Sequence, residues 1–179
     1  MGVSYLERAM PLTIADLNAL DRAAFVAAVG HVFEHSPWIA AAAWEQRPFA
    51  DRAGLHAAMC AVVAAAGEQR QLGLIRAHPD LAGRVAMAGQ LTADSAREQA
   101  AAGLAALSAE ERERLAGYNE AYKTRFGFPF VICARANKHA AILAAFPERL
   151  ANSPSQEIAT ALAEIDKIAW LRLCDGITQ

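Results

Sequence analysis

The chain reads as a series of amphipathic segments separated at short intervals by residues that start or stop helices. Leu55, Met59, Val62 and Val63 recur at helical spacing behind Asp51, a residue type that caps helix N-termini. A longer stripe of Ile158, Leu162, Ile165, Ala169 and Leu173 follows Ser153-Pro154. That pair sets an N-cap before a proline whose missing N–H is harmless in the first turn. Ser36-Pro37 repeats the arrangement. Thr13 with Asp16, and Ser108 with Glu111, have the spacing of capping boxes. The helix opened at Ser108 runs through Leu115, Tyr118 and Tyr122 towards Arg125, and Gly127 suits its left-handed end. Leu72, Leu74 and Ile75 belong to a helix that His78-Pro79 stops, because proline disfavours helix at the residue before it. Ala141, Leu143, Phe146 and Leu150 mark another.

One stretch breaks this rhythm. Phe128-Pro129-Phe130-Val131-Ile132-Cys133 is apolar and β-prone, and no second good strand accompanies it. An isolated strand leaves its backbone groups unpaired, which predicts a buried extended segment between helices instead. The expectation is a single domain over residues 1–179, all-α, with about seven or eight helices and one extended apolar segment.

Composition supports helix, since much of the 55% hydrophobic content is alanine, the strongest helix former. A net charge of −2 offers no global attraction to nucleic acid or to an anionic membrane surface. The alanine-rich runs are too short to span a bilayer. Cys60, Cys133 and Cys174 are odd in number and lack a CxxC pair, so neither a disulfide framework nor a zinc knuckle is expected, and reduced, mostly buried thiols are. The N-terminal stretch with Glu7 and Arg8 lacks the apolar run of a signal peptide, and the C-terminal DGITQ is no peroxisomal address. A cytoplasmic protein is the expectation.

Five histidines are candidates for chemistry. His31 and His35 are four residues apart, a spacing that on a helix could hold a metal, but no HExxH pattern surrounds them and no metal set is expected. His56 and His139 have no visible partner and are read as structural or surface residues. His78 sits at a helix end in RAHPDLAGR, where a turn can display a side chain that exchanges protons near neutral pH. The same position suits a histidine that only bonds the last helix carbonyls. Ser95 and Glu98 in DSAREQ have capping-box spacing, and a helix start also offers N–H groups to an anionic ligand. FGFPFVICA is either core or a backbone edge that a flat ureido or imide ligand could complete.

Taken together, LIRAHPDLAG, SAREQ, YKTRFGFPFVICARANKHAAIL and RLANSPSQEIATALAEIDKIAWLRL resemble the 2-oxo-4-hydroxy-4-carboxy-5-ureidoimidazoline (OHCU) decarboxylase family. FEHSPWIAAAAWEQRPFADRAGLHAAM fits the same pattern, so the resemblance covers essentially the whole chain. It implies an all-helical, homodimeric, cofactor-independent enzyme that converts OHCU to (S)-allantoin and carbon dioxide, without nucleic-acid or membrane partners. It also implies a catalytic His78 with Glu98 as its partner. Substrate contacts would come from Pro79, from Ser95, Ala96, Arg97, Glu98 and Gln99, and from Phe130, Val131, Ile132, Cys133 and Ala134. A C-terminal arginine completes the set, best matched by Arg172 with Arg149 as the other candidate. On this reading Glu98 holds His78 in its working tautomer and favours its charged form. The rival classes are a helical binding domain without catalysis and a helical interaction module without a ligand. The first does not need a proton-transfer pair; the second leaves the polar residues around His78 and Ser95 unexplained.

Overall fold

The structure is a computed structural model and describes residues 11–83, 89 and 91–178; Glu7 and Arg8 of the N-terminal stretch lie outside these. Nine α-helices are present among the described residues: α1 (Ile14–Ala19), α2 (Arg22–Val29), α3 (Pro37–Ala43), α4 (Arg52–Ala65), α5 (Glu68–Arg76), α6 (Ala93–Ala101), α7 (Ala109–Phe126), α8 (His139–Leu150) and α9 (Pro154–Gly176). The all-α expectation therefore holds, with the helical count slightly higher because the N-terminal region divides into three short helices. A small feature that periodicity does not show is a two-residue parallel pairing of β1 (Leu12–Thr13) with β2 (Ile177–Thr178).

Most of the expected punctuation is found. Capping boxes open α1 at Thr13 with Asp16 and α7 at Ser108 with Glu111, and Asp51 caps α4 by accepting from the Gly54 N–H at 2.7 Å. Gly127 ends α7 at φ +75°, the left-handed conformation that glycine adopts without strain. The Ser95–Glu98 capping box is not formed. Thr92 is the N-cap of α6 and accepts from the Ser95 N–H, so Ser95 sits at the third helical position and Glu98 one turn further in. His31 and His35 share no helical face either. α2 ends at Val29, and His35 lies in a turn at φ +46°.

The core is one continuous cluster to which every α-helix except α6 contributes buried apolar residues, α6 turning polar side chains inward. α4 packs against α3 and against the long α9, and α9 also meets α5, which brings the helix that precedes His78 close to the C-terminal helix. Residues 127–133 form no strand, as expected. Side chains meet several of their backbone groups instead. Arg149 donates to the Val131 carbonyl at 2.6 Å, Glu164 accepts from the Cys133 N–H at 2.8 Å, and Asn137 donates to the Cys133 carbonyl at 3.0 Å. Phe130 is stacked on Phe146 and meets Tyr122 edge-on, which fixes the segment from its apolar side. The thiols are free, Cys133 buried and Cys60 and Cys174 half-buried.

Candidate active site

His78 stands two residues beyond the end of α5 and is 8% exposed. Its N–H bonds to the Ile75 carbonyl, while ring Nδ1 lies 3.0 Å from the Leu74 carbonyl oxygen. A carbonyl oxygen only accepts, so Nδ1 carries the proton and Nε2 presents a lone pair. Nε2 is buried and has no hydrogen-bond partner among the described residues. The two readings of a helix-end histidine thus apply to the two nitrogens of one ring: one satisfies the helix terminus and the other is left for a ligand. Burial depresses the His78 pKa from 6.5 to about 4; the Leu74 bond and the charge of Glu34 oppose this, and Arg172 adds to it. The imidazole is therefore neutral at physiological pH.

The Leu74 carbonyl, not Glu98, holds this tautomer, and the carboxylate that favours the charged ring is Glu34. Glu98 faces Arg172. The guanidinium makes a two-pronged contact, Nε to Oε1 at 2.7 Å and a terminal nitrogen to Oε2 at 2.8 Å. Arg172 also donates to Glu34 at 2.8 Å, to Ser95 Oγ at 3.3 Å and to the His31 and Val32 carbonyls. Burial opposes its charge, but Glu98 and Glu34 more than compensate and raise its pKa. Glu34 is a residue that sequence reasoning missed. It is buried and accepts from Thr92 Oγ1, from Ser95 Oγ and from Arg172. Burial works to raise its pKa, yet Arg172 and the Thr92 hydroxyl bring it below the usual value.

A small cleft is lined by His78, Pro79, Leu81, Ser95, Glu98, Gln99, Phe130, Val131, Ile132, Ala134 and Ile168. Three separate stretches of chain supply most of it: the turn after α5, one face of α6 and the extended segment, and Ile168 of α9 adds one more side chain. Leu81 and Ile168 were not anticipated. Four expected residues, and the alternative candidate Arg149, do not line it. Ala96 and Arg97 lie on the exposed side of α6, where Arg97 pairs with Asp94. The Cys133 N–H is turned towards Glu164. Arg172 lies behind Glu98, and Arg149 is buried against Glu157 and Tyr122. Gln99 borders the cleft while its amide secures the loop after His78. Its carbonyl accepts from the Ala82 N–H at 2.9 Å, where Ala82 has φ +47°. Asn119 holds the neighbouring Leu81 carbonyl at 3.0 Å.

The family model for OHCU decarboxylase matches residues 18–174. This chain belongs to the OHCU decarboxylase family. Among the family's curated members, it is 45% identical over 164 residues to the putative 2-oxo-4-hydroxy-4-carboxy-5-ureidoimidazoline decarboxylase of Homo sapiens, covering 92% of this chain and 95% of that protein. It is 45% identical over 166 residues to the decarboxylase of Amia calva, with 93% and 95% coverage. In three dimensions it is similar to the crystal structure of (S)-allantoin synthase. The TM-score is 0.75 at 30% identity, over 93% of this chain and 54% of that one. It is also similar to an OHCU decarboxylase crystallised in the presence of (S)-allantoin, at TM-score 0.63 and 28% identity, over 77% of this chain and 89% of that one. The OHCU decarboxylases are carboxy-lyases of purine catabolism, which makes this chain one of a family of enzymes. No helix among the described residues is long and apolar enough to cross a membrane.

Proposed function

We propose that the cleft beside His78 converts OHCU to (S)-allantoin and carbon dioxide without a cofactor, with His78 as the proton-transfer group. The observation that carries this reading is the buried Nε2 of a neutral imidazole, without a partner among the described residues, in a His78 that lines one cleft with Ser95, Glu98, Gln99 and the apolar Phe130, Val131 and Ile132. In the proposed reaction the bond from C4 to its carboxylate breaks and carbon dioxide leaves. The electron pair enters the double bond of the imidazoline ring, so the substrate supplies its own electron sink. Nε2 accepts the C4 hydroxyl proton as that oxygen becomes a carbonyl, then returns a proton to the ureido-bearing carbon. The ring nitrogen takes up the proton that the overall reaction consumes.

The remaining residues hold the substrate. Glu98 is fixed from behind by Arg172 and is left to accept from ureido N–H groups, since a carboxylate has more lone pairs than Arg172 occupies. Among the described residues no acceptor meets the N–H groups of Val131 and Ile132, which suits them to ring or ureido carbonyls. Pro79, Phe130 and Ala134 would bound the flat ring. Arg172 acts through Glu98, so it is a positioning residue here. We also propose a homodimer acting in the cytoplasm; sedimentation velocity of the purified chain tests the dimer.

The test of the activity is circular dichroism of the allantoin formed from freshly generated OHCU. Rapid appearance of the (S) enantiomer is the expected result. Racemic product at the buffer-only rate, from folded protein that still binds OHCU, would favour a binding domain; no binding at all would favour an interaction module.

A further inference from the structure

Away from the cleft, α4 and α9 bring three side chains of metal-ligand type to one point. His56 and Cys60 stand one turn apart on α4, and Asp166 reaches them from the middle of α9. His56 Nε2 lies 2.7 Å from Asp166 Oδ1. Cys60 Sγ lies 3.3 Å from the same oxygen and 3.5 Å from His56 Nε2. This is the one group of at least three such side chains with mutually converging ligand atoms among the described residues.

The spacing can be set against a coordination sphere. With sulfur at about 2.3 Å and nitrogen or oxygen at about 2.0–2.1 Å, a tetrahedral zinc holds its sulfur roughly 3.5 Å from each of the other ligand atoms, and nitrogen and oxygen roughly 3.3 Å apart. Both sulfur distances here already meet that requirement. The His56–Asp166 separation needs to open by about half an ångström, as an ion replaces the proton between the two groups.

We propose that His56, Cys60 and Asp166 bind a thiophilic divalent transition-metal ion, Zn²⁺ by chemical class, through three protein ligands and one open position. Two further observations agree. The His56 ring is held edge-on by Trp170 at 5.3 Å between centroids, so its orientation is set before any ion arrives. Asp166 is half-exposed and His56 is partly open, which gives the ion a path from solvent. When no ion is bound, the Cys60 thiol donates to Asp166; binding exchanges that proton for the cation. A bound ion would tie α4 to α9, the helix that carries Ile168 and Arg172 on its way past the cleft. Its effect is therefore on the stability of that packing, and the decarboxylation does not require it.

Cobalt(II) is the probe. Metal-stripped full-length protein is expected to bind one equivalent of CoCl₂, with a thiolate-to-cobalt charge-transfer band and the strong visible bands of a tetrahedral site. ZnCl₂ should displace both and raise the melting temperature. Cys60→Ser should abolish the charge-transfer band, and Cys60→Ser, His56→Gln and Asp166→Asn should each weaken Zn²⁺ binding by roughly 10-fold or more. Cys174→Ser should change neither property. The metal-free melting temperature of each variant separates loss of the site from loss of the fold; if Cys60→Ser does not fold, His56→Gln and Asp166→Asn decide. A weak octahedral cobalt spectrum without charge transfer overturns the proposal. So does a spectrum that survives Cys60→Ser, or affinities unchanged in the other two variants.

Discussion

At the scale of single residues, the site depends on the two nitrogens of one histidine having different tasks. His78→Asn removes the free Nε2 and should lower kcat roughly 10²-fold or more while melting stays close to that of the parent chain. Because burial holds the imidazole pKa near about 4, kcat/KM should be flat from about pH 8 to about pH 6 and lose activity on an acid limb well below the ordinary histidine value. Glu34 and Glu98 can be told apart by that limb. Glu34 raises the His78 pKa by its charge, so Glu34→Gln should move the limb further down; Glu98→Gln should lower turnover and leave the limb in place. A limb that moves with Glu98→Gln would restore the sequence-based pairing of Glu98 with His78. The family resemblance implies that pairing, and His78 and Glu98 do share the cleft. What the sequence does not carry is which group holds each of them. The Leu74 carbonyl is a backbone atom with no side-chain signature, and Glu34 reaches Thr92 and Arg172 across 58 and 138 positions.

At the scale of elements, helix boundaries followed from local chemistry where a single capping side chain stands before the helix, as at Thr13, Asp51 and Ser108. They failed at α6, where two hydroxyl residues compete for one helix start. Thr92 takes the cap, and Ser95 instead donates to buried Glu34, a long-range bond that local spacing does not reveal. The extended segment was legible by exclusion, as an apolar run with no strand partner. Its anchor was not. Arg149 joins the Val131 carbonyl to buried Glu157, which also accepts from Tyr122 and Asn152. Arg149→Met leaves Glu157 charged, buried and without a cation, and should cost about 3–5 kcal/mol in urea unfolding. Activity should fall further than stability alone explains, because Val131 loses the bond that sets its place on the cleft wall.

For the molecule as a whole, the buried histidine links acidity to folding. The folded-state pKa of His78 lies below its unfolded value, so between the two the unfolded chain binds more protons. Its contribution to stability is present above about pH 6.5 and is lost as pH falls through about 4. Chemical denaturation across that window should show a decline that His78→Asn flattens; equal slopes for both proteins would mean that other groups set the acid sensitivity. A different consequence follows from the parallel pairing of Leu12 with Ile177 and Thr13 with Thr178. The two strands that hold this pairing come from opposite ends of the helical order, so their adjacency does not depend on where the polypeptide is cut. Gly67, exposed and with no atom within 4 Å of the position its Cβ would take, offers another opening between α4 and α5. A circular permutant opened there, with residue 178 rejoined to the N-terminal stretch through a short flexible link, would keep every helix whole and carry the His78 turn unchanged into a chain of new order.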